Sequence, residues 1–151
     1  MPEIFTRTLA SSSAIPWNFT QWEPQVVVIN LGTNDKLNDD EPSVSAHYQR
    51  AYVDLILNIS AWYRHTQPSF FLACGPISEA YCSYVMNTIE IVSLRYGIPA
   101  YFLDQRGILD DSNQCCGHPD SSADVDIAIT TAKTIAEVMQ WTQLQKADRI
   151  F

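Results

Sequence analysis
Two short stretches hold residue types that could stabilise an oxyanion and accept a proton. The first is Leu31-Gly32-Thr33-Asn34-Asp35. Gly32 lets the backbone turn sharply and leaves room for a ligand. The Asn34 amide can donate a hydrogen bond without carrying charge, which suits a developing oxyanion. Asp35 can hold the loop by accepting backbone N–H bonds. The same residue types also build plain strand-to-loop turns, so these residues alone leave both readings open. The second stretch is Cys116-Gly117-His118-Pro119-Asp120. A loop histidine between Gly and Pro can serve as a general base, or simply as polar surface.

These stretches lie at the ends of regular elements. Val26-Val27-Val28-Ile29-Asn30-Leu31, between Pro24 and Gly32, reads as a strand buried on both faces. Residues 43–66 carry Val44, Tyr48, Ala51, Tyr52, Leu55, Ile59 and Trp62 at helical spacing, with Ser43 as a candidate N-cap and Pro68 beyond the end. Phe70–Cys74 is a second strand, closed by Gly75-Pro76. Ser78 and Glu79 open a helix to about Tyr96, where Gly97 stands as the C′ glycine. Ala100–Asp104 is a third strand, followed by a polar loop from Gln105 to Pro119. A last helix starts near Ser121, with Ser121 and Asp124 as a capping-box pair and Asp126 also near its start. Its expected buried stripe is Ala128, Ala132, Ile135 and Met139. Three regions follow: an irregular segment 1–24 whose Trp17, Phe19 and Trp22 pack inward, a domain 25–143, and a polar tail 144–151.

Strands alternating with helices imply an α/β fold with a parallel sheet and right-handed crossovers. Ligands bind such sheets at the carboxyl ends of the strands, where the Gly32–Asp35 turn, Gly75-Pro76 and the His118 loop all lie.

The order of a Gly-x-Asn-Asp strand end, two βα units and a Gly-His-Pro before the last helix resembles the SGNH (GDSL-type) hydrolases. Within them it looks most like carbohydrate esterase family 2, the acetyl-xylan-esterase-like branch. Val27–Asp35 matches the family's third block and Gly117-His118-Pro119 its fifth, over roughly residues 24–140. The resemblance implies a three-layer, flavodoxin-like fold and hydrolysis of acyl esters, O-acetyl groups on carbohydrate among them. It implies Asn34 as oxyanion-hole donor, His118 as base, Gly32 and Asp35 as loop support, and no cofactor. The family's Asp three residues before the histidine is Cys115 here; members can instead support the histidine with a backbone carbonyl. The Gly-Asp-Ser nucleophile block and the second-block glycine are absent. Ser11, Ser12 and Ser13 lack the Gly-Asp lead-in and a preceding apolar strand, so no nucleophile is assigned. By the measure of the family's five-stranded core the chain matches about three-fifths of the domain, truncated at its amino end, leaving Val26–Leu31 as an open edge. Three readings follow: a piece of an esterase, a carbohydrate-binding module without turnover, or a hydrolase completed by another chain or an unorthodox nucleophile.

All four cysteines, Cys74, Cys82, Cys115 and Cys116, map to the same rim. The expected bond joins Cys74 or Cys82 to Cys115 or Cys116, pinning the histidine loop. Their spacing is not that of a zinc site, and no metal is expected. His47 and His65 read as solvated surface. Trp17 and Trp22 read as packing anchors or as a sugar-stacking platform. Lys36 and Asp39 lie near the Asn34 loop, where they could touch a substrate.

Charge narrows the partners. Lys and Arg number 9 against 17 acids, for a net charge of −8, and charged residues are only 17% of the 151. Such a chain offers no basic face for nucleic acid or an anionic membrane. An acylated small molecule or carbohydrate is the expected partner. Low charge, an even cysteine count and the sequons at Asn18 and Asn58 point to a secreted lineage, although the first residues are not a signal peptide. Asn18 is the better glycan candidate.

Overall fold
The computed structural model describes residues 4–35 and 42–142. Lys36, Asp39 and the tail from 143 lie outside the described residues, as do the side chains of Ser43 and Val44.

Three parallel strands form the sheet: β3 (Val26–Asn30), β4 (Ser69–Cys74) and β5 (Ala100–Asp104), in the order β3-β4-β5. They match the three apolar runs. The register is regular, with Val28 opposite Phe71 and Phe71 opposite Tyr101. Helix α1 (Pro42–Trp62) joins β3 to β4, and α2 (Cys82–Tyr96) joins β4 to β5. Helix α3 (Ser121–Met139) follows.

The central strand carries the core. Phe70, Phe71, Leu72 and Ala73 are fully buried, and each aromatic buried this way contributes about 1.5–3 kcal/mol. Phe70, Leu72 and Cys74 pack with Tyr52, Leu55, Ile56 and Ile59 of α1 and with Val85 and Val92 of α2. Strand period two and helix period 3.6 therefore meet on one face. β3 corrects the expectation of burial on both faces. Val28 remains 47% exposed and only Ile29 is buried, because β3 pairs with β4 alone and is an edge strand among the described residues.

Segment 4–24 is more ordered than its composition suggests. Strands β1 (Arg7–Leu9) and β2 (Ser12–Pro16) form an antiparallel hairpin, with Leu9 opposite Ser12. Packing there falls to Phe19, which stacks on Trp62 at 4.7 Å and meets Phe5 at 5.7 Å. Trp22 is 65% exposed and is no packing anchor.

Helix ends show where local chemistry wins. Gly97 sits at φ +67°, and its N–H reaches the Ser93 carbonyl, as a C′ glycine should. α2 begins at Cys82 rather than Ser78, because residues 78–81 turn first and the Cys82 N–H donates to Glu79 O. α3 is capped by Asp120, not by the Ser121–Asp124 pair. Asp120 Oδ1 accepts from the N–H groups of Ser122 at 2.8 Å and Ala123 at 3.0 Å. The expected stripe on α3 is also corrected. Ala128 and Ala132 are exposed and Ile135 and Met139 half-buried, while Ala123 is the buried residue. Val125 and Ile129 are 56% and 60% exposed.

The cap makes a pH prediction. Backbone hydrogen bonds from Ala123, then the Ser122 hydroxyl, hold the Asp120 carboxyl below its ordinary 3.8. A depressed folded pKa gives stability that is present above 3.8 and lost as pH falls through the folded value. Asp104, beside Arg106, and Asp110, bonded to Ser112, act in the same direction. The melting temperature should drop on acidification below this range, and Asp120→Asn should flatten that drop in a pH series of melting curves.

Candidate active site
The carboxyl ends of β3, β4 and β5 form one rim. Two strand spacings, about 10 Å, separate β3 from β5 across it. Asn34 lies in the turn just after β3, Gly75-Pro76 directly follows β4, and His118 lies in the loop between β5 and α3. The Asn34 and His118 side chains are both exposed.

The Asn34 turn is built on Gly32, at φ +127°. Gly32 needs glycine for its conformation, and a Cβ there, 3.1 Å from the Tyr81 ring and 3.2 Å from the Tyr48 hydroxyl, would also push on both side chains by a few tenths of an ångström. The Asp35 backbone N–H closes the turn by donating to Gly32 O at 3.0 Å. From below, the Tyr48 hydroxyl donates to the Leu31 carbonyl at 2.9 Å. Burial, then the nearby Asp35 carboxylate and Tyr81, push the Tyr48 pKa far up, so it remains a neutral donor.

A network that the sequence reading missed ties the three strand ends together. Asn30 Nδ2 donates to the Gly75 carbonyl at 2.9 Å and to Gln105 Oε1 at 3.2 Å. Gln105, only 5% exposed, donates through Nε2 to the Thr131 hydroxyl of α3 at 3.2 Å, and its N–H reaches Cys74 O. The available signal was a lone polar residue ending a β-branched run. Its partners, 45 and 75 residues away, left no local mark.

His118 belongs to a second hairpin inside the polar loop, made of β6 (Gln114–Cys115) and β7 (His118–Pro119). Cys115 pairs with His118, so Cys116 and Gly117 form a two-residue turn with φ +55° and +77°. Positive φ at both central residues marks a type I′ hairpin, whose second position favours glycine. His118 Nδ1 lies 3.2 Å from the Cys116 carbonyl. A carbonyl can only accept, so this bond places the proton on Nδ1 and leaves Nε2 as the basic nitrogen. On the other side Asp120, the α3 cap, ties its N–H to Asn113 O.

The cysteines correct the expected pairing. Cys74 bonds to Cys82, whose Cα atoms are 5.3 Å apart, while Cys115 and Cys116 are free thiols. The turn after β4 brings Cys82 back over Cys74, and the hairpin keeps the other two cysteines together. The bond closes a loop with a sequence separation of 8. Replacing both Cys74 and Cys82 with serine should cost about 2–3 kcal/mol in urea unfolding.

The other candidates are placed as follows. His47 and His65 are exposed on and just after α1, as expected, and the sequon residues Asn18 and Asn58 are also exposed. Among the described residues no cluster of three or more His, Cys, Asp or Glu is placed to hold a metal ion, and no helix is long and apolar enough to cross a membrane. A cleft of about 220 Å³, lined by Ser60, Arg64, Tyr96 and Pro99 among others, opens at the opposite ends of β4 and β5. It includes no candidate residue.

No family model matches the chain, and no curated protein matches it. Solved structures do. A family two carbohydrate esterase from Clostridium thermocellum, in complex with cellohexaose, is 25% identical with a TM-score of 0.79, covering 92% of this chain and 43% of that one. A carbohydrate esterase family 2 enzyme with a carbohydrate binding domain, from Corynascus thermopiles (Myceliophthora fergusii), is 29% identical with a TM-score of 0.76, covering 93% of this chain and 45% of that one. An acetyl xylan esterase from Butyrivibrio proteoclasticus shares the fold at 12% identity, with a TM-score of 0.79, covering 93% of this chain and 46% of that one. The chain spans less than half the length of these structures. Over nearly all its own length, this chain is similar in structure to the carbohydrate esterases of family 2.

Proposed function
We propose that the chain supplies the base and the oxyanion donor of an SGNH-type esterase that removes acyl groups, O-acetyl above all, from carbohydrate. The observation that carries this is the His118 Nδ1 contact with the Cys116 carbonyl. It frees Nε2 for proton transfer without a carboxylate partner. The similarity to carbohydrate esterases supports a carbohydrate ester as substrate. A flavodoxin-like three-layer arrangement is part of the same reading.

The mechanism is serine acyl transfer. A serine hydroxyl attacks the ester carbonyl while His118 Nε2 takes its proton, and His118 returns the proton to the leaving sugar oxygen. The Asn34 amide donates to the tetrahedral oxyanion. Water then repeats the sequence on the acyl-enzyme. The 151 residues contain no Gly-Asp-Ser, so the serine comes from a polypeptide carrying that block, in cis or in trans. The Cys74–Cys82 bond and the two sequons support an extracellular setting.

Acetate release from acetylated xylan tests this reading. The purified chain alone should release none and should not react with a fluorophosphonate probe. Joined to the Gly-Asp-Ser half of a family 2 esterase, it should do both. Release or labelling by the chain alone would instead reveal a nucleophile among its own residues. The lack of Gly-Asp-Ser also favours a second reading: a carbohydrate-binding chain without turnover, which would bind glycans and remain inactive in the joined form.

A further inference from the structure
We propose that Cys115 and Cys116 form a reversible thiol–disulfide modification site that sets the position of His118. The two thiols are exposed, and their sulfurs are 3.3 Å apart. Cys116 is a non-glycine residue held at φ +55°, a conformation that L side chains adopt at a cost. Its carbonyl is the atom facing His118 Nδ1, and Cys115 is the residue paired with His118 across the hairpin. Any change in the Cys115–Cys116 unit therefore reaches the histidine through both sides of the turn.

Closing the bond must change this unit. Adjacent Cα atoms across a trans peptide are about 3.8 Å apart, whereas disulfides span about 4.4–6.8 Å. The sulfurs must also close from 3.3 Å to a bond length of about 2.05 Å. The peptide between the two residues, whose carbonyl is that of Cys115, has to twist, and the backbone torsions of Cys116 that place its own carbonyl must change with it. Strained and exposed disulfides are the readily reduced ones, which makes the site reversible.

The oxidant is a low-molecular-weight disulfide such as oxidised glutathione. The Cys116 thiolate attacks one of its sulfurs and expels the first small thiolate. The Cys115 thiolate then attacks the Cys116 sulfur, forms the Cys115–Cys116 bond and expels the second. Two protein thiols are oxidised, one disulfide is reduced, and the two cysteine protons end on the two released thiols. The effect on catalysis rests on the reading of His118 as the base; the bond and the movement of His118 do not.

The test uses the whole chain, oxidised glutathione, peptide mass mapping after alkylation, and NMR of the His118 ring. The peptide holding Cys115 and Cys116 should lose the mass of two hydrogens and its alkylation, and regain both with reduced glutathione. Cys74–Cys82 should remain bonded throughout. The His118 ring signals should shift on oxidation and return on reduction, with no shift in a C115S/C116S variant. Thiols that stay alkylatable, or that end as stable mixed disulfides, would overturn the proposal, as would a bond that leaves the His118 signals in place. A switch that works in a chain blind to acetylated carbohydrate would leave this proposal standing and remove the esterase reading instead.

Discussion
Replacing His118 with alanine is expected to lower acetate release by the joined esterase about 10²–10⁴-fold, mainly in kcat. The imidazole is exposed and touches the Cys116 carbonyl through Nδ1, so its loss should remove proton transfer with little change in packing. Added imidazole should restore part of the rate, which a merely structural histidine would not allow. Asn34→Ala should cost about 10²–10³-fold, the usual loss for one oxyanion donor. An unchanged rate in either variant, in the acetate assay, would remove that residue from the mechanism.

Gly75→Ala should be the most damaging single-methyl change on the rim. A Cβ at Gly75 would lie 2.7 Å from Gln105 C, 2.8 Å from Gln105 O and 2.9 Å from Arg106 N, and φ is +90°. The obstruction is backbone, so no side chain can swing aside. Moving Gly75 would also pull its carbonyl from Asn30 Nδ2, the tie between β3 and β4. We expect a loss of about 3 kcal/mol or more in urea unfolding, beyond the usual range for point changes. Gly107→Ala is the control. Gly107 has φ +69° and nothing within 4 Å of its Cβ position, so only the backbone cost of about 1–2 kcal/mol applies. Equal losses at both positions would show that crowding at Gly75 is not what matters.

Much of the fold was legible because single-period signals were strong. The β-branched run 26–30, the Phe70–Cys74 run and the Gly97 stop each involve neighbours in sequence. The α3 stripe was not legible, since alanines, threonines and isoleucines on several sides of that helix offer competing faces. The β1–β2 hairpin was hidden by a serine run without alternation. For the site, the glycine-built turn at Gly32 could be read from residue types. The Asn30–Gln105 tie and the Cys74–Cys82 pairing could not, because each depends on the reach of side chains across a turn or between strands.

The central claim is that Asn34 and His118 form one site for an acetyl ester on carbohydrate. NMR titration of the chain with acetylated and deacetylated xylo-oligosaccharides tests it most directly. The Asn34 side-chain amide and the His118 ring should shift together with the acetylated ligand and far less with the deacetylated one. Shifts confined to other surfaces, or equal for both ligands, would contradict it.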